Sequence, residues 1–248
     1  MKYAISTLLK NLSETTDLYF PSVDNKQQQE IYYNEYWKET VRREGIELKD
    51  SVDKKAGFLY GRSFKKINIV DGRVTVDILD PQSVGVHRLI DPTNFHKNQG
   101  LNITDIFKTL TEILENEDYD ASERARLKMY FDEEAHSLES DDNFEGAFER
   151  HARMLEMGDY DSVEPVLGQT YVELNEHYRY EYDEELEKSV IYLYVLAATD
   201  GGLFKLSKQR LCDVLGKTRD DFWHDHYPIS TWGCDPERTD FWSDGIAD

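Results

Sequence analysis

One spacing in this chain suggests a metal ion: His224-Asp225-His226. On a strand, residues two apart share a face, so both imidazoles would reach a common point. Cys234 and Asp235 lie close enough in sequence to add ligands. A zinc-type site needs three or four donors, and no second spaced His or Cys pair completes this set, so exposed loop histidines are the simpler reading. The acids Asp132-Glu133-Glu134 and Asp141-Asp142 could hold magnesium or act as acid and base. Adjacent residues on a helix point in different directions, however, which favours a solvated helix face. The chain contains no P-loop, no Gly-x-Ser-x-Gly and no Gly-x-Gly-x-x-Gly. No catalytic, cofactor-binding or metal residues are therefore assigned, and the chain reads as non-enzymatic.

Elements that would position such residues follow from periodicity. Residues 24–44 read as a helix, with Asp24 as N-cap, Gly45 as the stop, and Tyr32, Tyr33, Tyr36, Trp37 and Val41 as an apolar stripe. A second helix, 48–60, ends at Gly61. The period then turns to two: Phe64, Ile67 and Ile69, then Asp71-Gly72, then Val74, Val76 and Ile78 predict a hairpin with a two-residue turn. Asp80-Pro81 and Asp91-Pro92 bracket a further extended run, 84–90.

Residues 102–157 read as helical almost throughout. The first helix would carry Ile103, Ile106, Phe107, Leu110, Ile113 and Leu114 on one face, capped by Asn102 and Asp105; a second runs over 122–138 and a third over 143–157. Glu112 to Glu164 holds 18 acidic against 5 basic residues, the electrostatic centre of the chain. From Tyr171 the alternation returns, with Val172, Leu174, Tyr178, Tyr180 and Tyr182 on one face and Glu173, Asn175, His177, Arg179 and Glu181 on the other. A polar turn, 183–188, leads to the near-continuous apolar run 189–198, and Asp200-Gly201-Gly202 reverses the chain into 203–206. Together these predict one α+β body: antiparallel hairpins and a β-meander with an inserted acidic helical segment.

The totals narrow the possibilities. With 39% hydrophobic and 12% aromatic residues over 248 positions, a sizeable core is expected and a disordered tail is not. A formal charge of −21 opposes clinging to a nucleic-acid backbone and suits either simple solubility or a surface past which DNA slides. Two cysteines, Cys212 and Cys234, are too few for a disulfide framework, so a reduced intracellular setting is expected. The opening residues lack a signal-peptide pattern, and no stretch reaches the apolar length of a membrane span. Sixteen tyrosines suit contacts that are wet on one side, or ordinary strands.

Three segments carry a family resemblance. Asp53 to Ile69 (DKKAGFLYGRSFKKINI) is a helix ending in Tyr-Gly before a strand; Val76 to Pro92 (VDILDPQSVGVHRLIDP) is an extended stretch between two Asp-Pro pairs. Val172 to Asp248 joins a Glu-rich Tyr strand and a hydrophobic strand to a close of Tyr227-Pro228-Ile229, Asp235-Pro236, Phe241-Trp242 and Gly245-Ile246-Ala247-Asp248. Read together, these resemble the portal (head-tail connector) proteins of tailed bacteriophages, particularly the podovirus-like group, in their N-terminal, wing portion.

That resemblance implies a wing-like body over 1–248, with helices at 24–60, strands at 64–90, the acidic helical insertion at 101–160, a strand meander at 170–210 and the start of a stem at 243–248. It implies a homo-oligomer, dodecameric when full length, at a capsid vertex of the virion and assembled in host cytoplasm. The partners implied are the terminase motor, capsid and tail adaptor proteins, and double-stranded DNA passing through without sequence-specific binding; no membrane and no cofactor are implied. Portal proteins continue into a stem, clip and often a crown that 248 residues cannot hold, so a truncated or split product is expected, unable to form a stable dodecamer alone. On the stripe of the first helix, Tyr32, Tyr36 and Trp37 are candidates for contact with a neighbour or the capsid, the alternative being that they pack onto the sheet. Two rival classes stay open: an acidic adaptor or DNA mimic acting through 112–164, and a metal-dependent hydrolase using His224, His226 and acidic residues.

Overall fold

A computed structural model describes residues 27–70, 73–87, 95–134, 170–199, 202–216 and 222–233. The fold is α+β, with antiparallel sheets throughout. Where one body was expected, the chain divides into two compact units: Met1–Pro81 with Pro228–Asp248, and Gln82–Tyr227.

In the first unit, helix α1 (Gln27–Glu44) and helix α2 (Ile46–Tyr60) are separated by Gly45, whose φ of 58° lies in the left-handed region that a side chain would strain. Gly61, at φ 79°, ends α2 in the same way and turns the chain into strand β1 (Arg62–Val70), as expected. Strand β2 (Arg73–Leu79) pairs with β1 in a register, Val70 with Arg73, that leaves two residues for the turn. Asp71-Gly72 itself, and Asp24, lie outside the described residues. The last described strand, β8 (Ile229–Gly233), completes the order β2-β1-β8.

Strand alternation places Lys65, Ile67 and Ile69 on one face with Val74, Val76 and Ile78, while Phe64 points the other way. Helix α2 lies close to this sheet: a Cβ on Gly57 would come within 2.2 Å of the Trp232 ring, which also meets Phe58 edge-on at 5.4 Å. Only a residue without a side chain admits the indole there.

The second unit is a five-stranded sheet in the order β3-β4-β5-β6-β7: β3 (Val84–Val86), β4 (Gly100–Thr109), β5 (Tyr171–Asp183), β6 (Lys188–Thr199) and β7 (Gly202–Arg210). The meander expected for 170–210 is β5-β6-β7, and the run 84–90 is described as a strand only over β3. Leu174, Tyr178, Ile191, Ala197 and Phe204 are all buried.

The helix expected from residue 102 is corrected: 100–109 is strand β4, and the chain turns helical only at α3 (Leu110–Glu115). The cause is a bulge. Ile103 pairs with Glu176 and Ile106 with Leu174, so Thr104 and Asp105 together oppose one residue, and Asp105 adopts φ 58°. A bulge returns residues three apart to the same face, and that spacing imitates a helix in sequence. Asn102 and Asp105 are thus strand residues; the capping box is Thr109 with Glu112, whose carboxylate accepts from the Thr109 N–H at 2.8 Å.

Helix α4 (Ala121–Glu134) begins where expected, with Asp120 accepting from the Ser122 and Glu123 N–H groups. It seats Leu127 and Phe131 in the core, and Arg126 lies 4.5 Å over the Phe204 ring. The continuation of that helix to 138, the helix expected at 143–157 and the stem start at 243–248 lie outside the described residues. Short helix α5 (Leu211–Leu215) follows β7 and buries Leu211, Cys212 and Leu215.

Candidate interaction surface and histidine cluster

The stripe of α1 divides along its length. Toward the C-terminus Thr40 is buried and Arg43 donates to the Val74 carbonyl at 2.9 Å, which fixes that end to β2. Toward the N-terminus Ile31, Tyr32 and Tyr33 are 62%, 65% and 55% exposed. Tyr36 and Trp37 are half-buried. Tyr32 stacks on Tyr36 at 6.4 Å and meets Tyr33 edge-on at 5.8 Å, so the rings form one row. The ion pairs Lys38–Glu35 and Arg42–Glu39 on the same helix are exposed and add little.

A second surface is the polar face of the five-stranded sheet. Register sets Arg179 opposite Tyr192 and Tyr192 opposite Arg210, and likewise His177, Tyr194 and Lys208 in one row. Arg210 bonds both Asp183 and Glu185, while Lys208 bonds Glu181 at 2.7 Å and lies over the rings of Tyr192 and Tyr194 at 4.7 and 5.2 Å. The Tyr192 hydroxyl donates to Asp183 at 2.7 Å, and that of Tyr194 to Glu181. These bonds hold the Asp183 carboxyl well below the usual range, Tyr192 first and Arg210 next, and Glu181 raises Lys208. At its edge a groove of about 550 Å³ is lined by Asp118, Asp213, Tyr192, Lys208 and Arg210. Within the face, Glu181 with Lys208 and Asp183 and Glu185 with Arg210 neutralise one another.

His224-Asp225-His226 does not lie on a strand. His224 is buried at the end of the 3₁₀ turn Phe222–His224, and His226 is half-buried beyond it. What His226 meets is His96, from the turn Phe95–Lys97, with ring centroids 4.9 Å apart. Sequence reasoning missed this partner because 130 positions separate the two. Asp225 lies 2.5 Å from His226 Nδ1, and the Tyr227 N–H donates to His96 Nδ1 at 3.2 Å. The Tyr180 hydroxyl sits between the carbonyls of His96 and Asp225, at 3.2 and 2.6 Å, and Tyr227 donates to the Asn98 carbonyl at 2.7 Å.

Among the described residues no group of three or more His, Cys, Asp or Glu could hold a metal ion. Cys234, Asp235 and Asp141-Asp142 lie outside them, and Asp132 is an exposed residue of α4. No described helix is long and apolar enough to cross a membrane. No protein-family model matches the chain, and a search of curated proteins finds no match.

Proposed function

We propose that this chain is a non-catalytic structural subunit of the portal type, part of a ring at a capsid vertex through which double-stranded DNA is packaged and ejected. The observation that carries the reading is the row of Ile31, Tyr32 and Tyr33, more than half exposed on a helix whose other end is fixed to a sheet. Large aromatics left in water on a rigid element are the usual anchors of protein contacts. The α+β build, with a Tyr60-Gly61 step leading from helix into hairpin, is compatible with a portal wing. The charge of −21 gives passing phosphates no deep minimum.

In this reading the chain is a homo-oligomer of the virion, assembled in host cytoplasm, and Tyr32, Tyr36 and Trp37 meet a neighbouring subunit or the capsid. Its other partners are a terminase motor and tail adaptor proteins, and it needs no cofactor. The test is native mass spectrometry and negative-stain microscopy of the full-length protein expressed with its flanking genes. Closed rings are expected, and Trp37→Ala or Tyr32→Ala should weaken each subunit contact by about 2 kcal/mol, roughly thirtyfold. Monomers in every context, turnover of a small substrate, or a stoichiometric catalytic ion would overturn the proposal.

A further inference from the structure

We propose that His96 is an acid-sensitive latch, holding residues 225–227 against the turn at 95–98 while neutral and releasing the Tyr227 amide when protonated. The inference is independent of the portal reading. Accepting the Tyr227 N–H at 3.2 Å requires a lone pair on His96 Nδ1, so the neutral ring carries its proton on Nε2. An imidazolium has no acceptor: a second proton would set N–H against N–H.

The surroundings disfavour that proton. Burial, and then the His226 ring 4.9 Å away, lower the affinity of His96 for it, and Asp225 opposes them only in part. The Asp225 carboxylate lies 2.5 Å from His226 Nδ1, on the far partner of the histidine pair. From β5 the cluster is faced by Tyr180 and Tyr178. Burial pushes Tyr180 up to about 12 and raises Tyr178 and Tyr227 as well, so all three stay neutral wherever histidine titrates. Glu176, on β5, accepts from the Tyr178 hydroxyl at 2.6 Å, while Lys97 follows His96 in its own turn and His224 precedes Asp225. Opening should be local, because the bonds of Tyr180 to the Asp225 carbonyl and of Tyr227 to the Asn98 carbonyl need no histidine.

A base whose folded affinity for protons is lowered opposes the closed state increasingly as pH falls below about 6.5, the ordinary histidine value. The experiment is hydrogen exchange at the Tyr227 amide from about pH 8 to about pH 5, corrected for intrinsic rates, in the full chain and in His96→Asn, whose amide oxygen keeps an acceptor that cannot titrate. Protection in the wild type should fall below about pH 6.5, approaching tenfold per pH unit, and stay flat in the variant. Long-range nitrogen–proton NMR on the wild type should show His96 protonated at Nε2 at high pH, and His226→Gln should move the midpoint upward. Flat wild-type protection, an equal slope in His96→Asn, or an Nδ1–H tautomer would each overturn the latch.

Discussion

Two buried carboxylates, one in each unit, titrate in opposite directions. Asp53, on α2, has a side chain 6% exposed and bonds Lys65 of β1 at 3.1 Å; Lys65 also bonds Asp50. Burial pushes Asp53 up, outweighing Lys65. Asp183, at the end of β5, has a side chain 1% exposed, yet it is driven down. It is shielded by its own donors: Tyr192, Arg210 and the N–H groups of Glu185 and Leu186. Asp53, on the helix itself, shares the Lys65 ammonium with a second acid, Asp50. At Asp183 the donors outweigh burial, and at Asp53 burial outweighs the donors.

The largest effect should come from Asp183→Ala, which removes the acceptor for all of those donors at once and leaves Glu185 as the carboxylate bonded to Arg210. Its thermal midpoint should fall further than that of Gly57→Ala, while Asp183→Asn, which keeps some acceptors, should fall less than Asp183→Ala. Equal midpoints for Asp183→Ala and wild type would break the comparison.

Next is Gly57→Ala, a test of how closely α2 lies on its sheet. The added methyl displaces Trp232, so denaturant unfolding should show a loss of about 1–3 kcal/mol, with a changed indole fluorescence.

The pH dependence of stability should then separate the two acids. Asp183 is depressed, so its contribution is complete above the ordinary carboxylate range, about pH 4, and is lost as pH falls toward its folded value. Asp53 is raised: its contribution is complete below about pH 4 and is lost as pH rises toward its folded value. Asp53→Asn should remove the second slope and keep the first; if both slopes persist, Asp53 is not the raised acid.

The smallest effect is a gain. Asp105 holds φ 58° in the β4 bulge, and Asp105→Gly relieves that conformation, for a stabilisation of up to about 1 kcal/mol in chemical denaturation. A loss instead would mean that the Asp105 side chain has a role in the bulge.

Much of the fold was legible because it is local. A two-residue turn between alternating runs defines the β1-β2 register, Gly45 and Gly61 end helices through their own dihedrals, and alternation from Tyr171 onward marks β5. The β4 bulge was not legible, because three-residue spacing means helix unless Leu174 and Glu176 are known to lie opposite. Of the candidate interface, the aromatic stripe could be read, but which rings are covered could not.

Sequence alone determined the charge, the tyrosine excess, the ends of several described elements and the α+β class, all properties of residues within a turn or two of one another. Tertiary structure decided the partners: His96 for His226, Arg210 for Asp183, Trp232 for Gly57. These meet only because strands pair and helices pack over tens to hundreds of positions, and proton affinity depends on the groups within a few ångströms, whatever their place in the chain.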